Sequence, residues 1–135
     1  MTETEDDLLE RIVVDKDAVN RERLADTIEG VLGVDRDTGE VVTQPGYYEL
    51  DNEPKFMARL LARRTAFELG IIEEGELGDT GSEFAERMEA SQNSIRNYGS
   101  LDFVANDDEN GRYYIDGQSI GLAIDFIREA NSDNA

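Results

Sequence analysis

The 135-residue sequence contains no cysteine, no histidine and only two lysines, Lys16 and Lys55. Without cysteine there is no disulfide framework and no thiolate zinc site. Without histidine the commonest general base, the commonest metal ligand and the histidine-based triads are gone. There is also no apolar run of about eighteen residues and no leader pattern of basic, apolar and small-residue regions. These absences predict a soluble, cytoplasmic chain that is not exported and has no membrane partner. An enzyme would be left with carboxylate or hydroxyl chemistry. No spacing singles out a catalytic pair among the 32 Asp and Glu, so the expectation is a non-enzyme with no cofactor and no metal.

What is present in excess is acid. The net charge is −19, and apart from the two lysines the basic residues are all arginine. Abundant Asp and Glu with few Lys and no Cys or His look like the cytoplasm of an extreme halophile, above all a haloarchaeon or its virus or plasmid. A heavily acidic, hydrated surface stays soluble where salt screens charge, and at molar salt the Debye length is only about 3 Å. At ordinary ionic strength such a charge argues against a nucleic-acid partner. In molar salt it argues much less, because repulsion from phosphates is screened too. Apolar residues make up 39% of the chain, enough for a core and too many for an acidic disordered chain. Length and composition predict one compact domain of ordinary size with an appended N-terminal element. The elements along the chain make it α+β and mainly α, in three segments: 1–50, 51–116 and 117–135.

Along the chain, Leu8, Leu9, Ile12 and Val13 have the spacing of a short amphipathic helix. A second helix, capped by Asp15 or Asp17, runs to about Gly30. Residues 31–42 change period: branched apolar segments flank Asp-Arg-Asp-Thr-Gly and predict a β-hairpin. Residues 51–72 carry the strongest helix, capped by Asp51 or Asn52 and apolar nearly all round. Its Ala58, Ala62 and Ala66 form a smooth strip open to another helix. Lys55, Arg59 and Arg63 form one ridge on it at i, i+4, i+8. Arg64 falls on its apolar face and needs a carboxylate partner or a subunit interface. Residues 73–82 read as a loop. Strands are expected near 101–104 and 112–115, and a last helix over 119–130 buries Ile120, Ala123, Ile124 and Ile127. Asn106, Asp108, Asn110 and Gly111 sit at calcium-loop spacings, but Gly117 stands where a bidentate Glu is required, so turn composition explains the segment better.

Residues 83–98, "EFAERMEASQNSIRNY", do not fit one simple helix. Phe84, Ala85, Met88, Ala90, Ile95 and Tyr98 have the apolar spacing of two short helices, about 80–88 and 92–98, joined by a tight turn at 89–91. The first has a capping box, Thr80 with Glu83, or Ser82 as an alternative cap. Ile95 and Tyr98 anchor the second, and the polar residues between them point away from the core. "SEFAERMEASQNSIRNYGSLDFV" followed by "NDDENGRYYID" resembles a winged helix-turn-helix DNA-binding domain, over about residues 55–116. The family usually has Gly in the turn, where this chain has Glu89.

The resemblance implies double-stranded DNA as partner, read in the major groove by a recognition helix at 92–98. The implied contact residues are Ser91, Gln92, Asn93, Ser94, Arg96 and Asn97. Arg112 and Tyr113 of the wing would reach the backbone or minor groove. Lys55, Arg59 and Arg63 could add phosphate contacts. A transcriptional regulator would act as a dimer, with the last helix and the alanine strip as contact candidates. The alternative is a non-enzymatic interaction protein, either a winged-helix adaptor or a helical head–tail connector of a tailed archaeal virus. The two differ at one place. A connector needs a continuous helix over 83–98, and a DNA reader needs a break at 89–91.

Overall fold

The computed structural model describes residues 16–107 and 111–133. The helix expected around Leu8–Val13 and the tip of the hairpin at 108–110 lie outside these residues. The described chain is α+β and mainly α, with five helices and two small antiparallel sheets. Helix α1, Lys16–Ile28, turns Leu24, Thr27 and Ile28 inward. Strands β1, Leu32–Val34, and β2, Val41–Thr43, pair antiparallel with Gly33 opposite Val42. Their turn is held by Asp35, whose carboxylate accepts from the backbone N–H of Asp37 at 2.8 Å and Thr38 at 2.9 Å. Those bonds favour the charged form and hold the Asp35 carboxyl below its ordinary pKa. Pro45–Glu49 then makes a single 3-10 segment.

Helix α2, Asn52–Glu68, is the central element. Phe56, Met57, Ala58, Leu60, Leu61, Ala62 and Ala66 are all fully buried. Burying each large apolar side chain of this set is worth about 1.5–3 kcal/mol. The alanine strip is part of that core, so it is covered within the chain and is not open to a second copy. Helix α1 and helix α5, Ile120–Asp133, both pack on α2 and on each other. The predicted face Ile120, Ala123, Ile124 and Ile127 is buried as its spacing requires. Ion pairing of Arg23 with Asp125, and a bond from Arg128 to the Thr27 hydroxyl, tie α5 to α1. One apolar cluster draws on the chain from Leu24 to Ile127.

The second sheet has three strands in the order β3–β5–β4, where β3 is Asp79–Thr80, β4 is Ala105–Asp107 and β5 is Arg112–Tyr114. Tyr113 at its centre faces Asp79 on one side and Asn106 on the other. Between β3 and β4 lie two short helices, α3, Gly81–Met88, and α4, Gln92–Tyr98. Around this sheet the element order is helix–strand–helix–helix–strand–strand, with the last strand in the middle. One strand lies elsewhere than the spacing suggests. Residues 101–104 form turns, with Val104 N–H donating to Leu101 O at 3.0 Å, and pairing begins only at Ala105. Leu101, Phe103 and Val104 reach the core from consecutive turns, so the chain needs no pleat there.

Candidate nucleic-acid interface

The two short helices are set by caps and a backbone reversal. Thr80 Oγ1 accepts from Glu83 N–H at 3.2 Å, which starts α3. Phe84 is fully buried and meets Phe56 edge-on at 4.8 Å. After Met88 the chain reverses at Glu89, with φ 55° and ψ 39°. Among the described residues it is the only non-glycine residue at positive φ. Glu89 N–H and Ala90 N–H both donate to Ala85 O, the second at 3.0 Å, which closes the end of α3. Ser91 then caps α4, accepting from Ser94 N–H at 3.1 Å. The helix is therefore broken at 89–91.

Helix α4 presents one face. Ile95 is fully buried and Tyr98 half-buried, its ring 5.8 Å from Phe56. Gln92, Asn93, Arg96 and Asn97 are exposed, at the i, i+1, i+4, i+5 spacing of a single helical stripe. No acidic residue lies in its first turn. Ser91 and Ser94 are engaged with each other through the cap and a 2.9 Å hydroxyl bond, so their side chains serve the turn first. Below the helix, Gly99 lies against the Tyr113 ring. A Cβ there would come within 2.3 Å of Tyr113 Cε1. The centre of the sheet thus seats the end of α4.

The remaining expected contacts are placed differently. Arg112 is half-buried and donates to the carbonyls of Gly75 at 2.9 Å and Gly78 at 3.3 Å. Tyr113 is half-buried, its ring against Gly99 and 6.0 Å from Phe56. Both side chains pack β5 against the rest of the fold. Lys55 lies over the rings of Tyr47 and Tyr48 at 5.2 and 6.0 Å. Arg59 is 8% exposed and donates to the Tyr47 hydroxyl at 2.9 Å. Arg63 donates to the carbonyls of Gly39, at 2.9 Å, and Glu76. The ridge thus faces the 3-10 segment through Lys55 and Arg59, and the hairpin and the 73–78 loop through Arg63. Arg64 finds its carboxylate one turn on, in Glu68 at 2.6 Å. Among the described arginines, only Arg36 and Arg96 lack a hydrogen bond or ion pair.

A second feature has no signature in the sequence. A polar cavity of about 450 Å³ is lined by Thr38, Glu40, Val41, Arg59, Arg63, Asp79 and Arg87. Asp79 is 7% exposed and accepts from Arg87 at 2.6 Å. Burial raises its carboxyl above the usual range, and the Arg87 charge opposes that shift. The cavity joins three stretches distant in sequence, so no local spacing announces it.

Among the described residues no group of Asp and Glu side chains is arranged to hold a metal ion, and no helix is long and apolar enough to cross a membrane. No protein-family model matches the chain, and no curated protein or solved structure is significantly similar to it.

Proposed function

We propose that the chain is a sequence-specific DNA-binding protein, a transcriptional regulator working as a homodimer in a high-salt cytoplasm. The observation that carries this reading is the left-handed turn at Glu89. It ends α3 and sets α4 apart as a separate helix whose outer stripe is Gln92, Asn93, Arg96 and Asn97. Asn and Gln suit adenine and Arg suits guanine, each through paired hydrogen bonds on the major-groove edge. Arg96 is the cation of that stripe, and among the described residues it has no hydrogen-bond or ion-pair partner. Two such helices in a dimer would sit about 34 Å apart on successive turns of one duplex face. The same break weighs against a head–tail connector, which needs the helix continuous.

A winged-helix adaptor remains the second reading. It is favoured by the occupied side chains of Arg112, Arg59 and Arg63, which leave few cations for phosphates. Selection from a genomic DNA library in molar KCl separates the two. Wild type should enrich a defined site, and the Asn93→Ala/Arg96→Ala double variant should lose about 2–5 kcal/mol of discrimination. Selectivity that survives both substitutions would place the reading surface elsewhere. Absence of binding at every salt concentration leaves the adaptor.

A further inference from the structure

The polar cavity beside α3 carries more cations than carboxylates in a strongly acidic chain. Three guanidiniums line it, from Arg59, Arg63 and Arg87, against the carboxylates of Asp79 and Glu40. Arg87 is paired with Asp79, and Glu40 is exposed. Among the described residues Arg59 and Arg63 have no carboxylate partner. Arg59 is bonded to a neutral hydroxyl and stacked on the Tyr47 ring at 5.0 Å. Arg63 is bonded to two backbone carbonyls, and its Nε is buried without a hydrogen-bond partner. Asp79 is near enough to Arg63 for its charge to be felt, but the two form no ion pair.

Buried cations are ordinarily paired with carboxylates, because desolvation of an unpaired charge is costly. Partners were not scarce: the chain has 32 acidic residues against 13 basic ones. Arg64, itself half-buried, has Glu68, and even the exposed Arg21 has a carboxylate beside it, so two inward-facing arginines without one are the opposite of what solvation alone arranges. The volume of about 450 Å³ lies within the range of small-molecule sites and far above that of a single ion. The planar fork of a guanidinium matches the paired oxygens of a carboxylate or phosphate. Arg59 lies too deep for the backbone of a duplex to meet it.

We infer that this cavity binds a small organic oxyanion, carboxylate- or phosphate-bearing, held by Arg59 and Arg63 with Arg87 at the side. The occupant would bridge the β1–β2 hairpin, through Thr38 and Val41, to α3 and β3, through Arg87 and Asp79. On the DNA-binding reading above, that places an effector against the first helix of the reading unit. The binding itself does not depend on that reading.

The test is calorimetric titration of the full chain without DNA, at constant ionic strength in a KCl background. The probes are citrate and inorganic phosphate, which separate the carboxylate source from the phosphate source. At least one should saturate with a Kd on the order of 1 mM or below. Arg63→Gln should weaken binding at least about tenfold, the loss of roughly one charged hydrogen-bonding pair. Arg36→Gln, at an exposed arginine of the hairpin turn that does not line the cavity, should leave it unchanged. Glu40→Gln removes a negative charge from the rim and should tighten binding several-fold, a gain no folding defect can produce. Failure of both probes to saturate overturns the inference. So does binding that responds to Arg36→Gln as much as to Arg63→Gln, or that ignores Glu40→Gln.

Discussion

At the scale of single residues, Glu89 decides how the reading unit is built. Its φ of 55° puts a side chain in the left-handed region, where L-residues other than glycine lose about 1–2 kcal/mol. The conformation persists because both sides of it are fixed. Ala90 N–H closes α3 onto Ala85 O, and Ser91 caps α4 through Ser94. Glu89 itself is exposed and makes no side-chain bond, so nothing in the fold repays the strain directly. Glu89→Gly should therefore stabilise the protein by about 0.5–1 kcal/mol, the relief of strain less the extra freedom glycine gains when unfolded. Glu89→Val should do the reverse, because a β-branched side chain tolerates positive φ least. Denaturation midpoints in molar KCl measure both. A destabilised Glu89→Gly variant would mean that the chain does not turn left-handed there.

At the scale of elements, α4 is positioned from below by the sheet. Gly99 has φ −70° and ψ −9°, a conformation open to any residue, so its need for glycine is steric alone. A methyl group there would sit 2.3 Å from the Tyr113 ring, which is itself wedged against Phe56. Gly99→Ala should cost about 1–3 kcal/mol by overpacking. Combining it with Tyr113→Leu should recover part of that loss, giving a coupling of about 0.5 kcal/mol or more in a double-mutant cycle. Strict additivity would show that helix and sheet are not in contact at this point. Much of this arrangement is legible in the sequence. The apolar spacing of Phe84, Met88, Ile95 and Tyr98 marks two helices, and Thr80 and Ser91 stand at their starts. What is not legible is non-local. Asp79-Thr80 is only two residues long in a glycine-rich stretch, and it becomes a strand by pairing with Tyr113 and Arg112 more than thirty positions on. Leu101 and Phe103 alternate with Asp102 as a strand would, yet hydrogen bonds to Tyr98 and Leu101 close turns there first. Arg59 and Arg63 read as a surface ridge because an apolar helix gives no hint of which side a hairpin will cover.

At the scale of the whole molecule, the net charge of −19 bears directly on the proposed contact of α4 with DNA. Most DNA-binding proteins lose affinity as salt rises, because each neutralised phosphate releases condensed counterions and contributes about −0.9 to the slope of log K against log salt. Here the exposed stripe of α4 carries one cation, Arg96, and the wing arginine Arg112 is held by backbone carbonyls. Counterion release from this helix therefore amounts to a slope of about −1 per protomer. Against it stands repulsion between the acidic surface and the duplex. That repulsion extends about 10 Å at 0.1 M salt and only about 3 Å at 1 M. On the proposed DNA contact, its removal is expected to offset the loss of one counterion per protomer over that range. Affinity for the selected site should accordingly rise, or stay level, as KCl increases from about 0.1 M to 1 M. Fluorescence anisotropy measures it, with circular dichroism at each salt concentration separating folding from binding. Once the fold is fully formed, a slope steeper than about −3 would mean that several more cations reach phosphates than this face supplies, and the contact surface would have to be sought beyond α4.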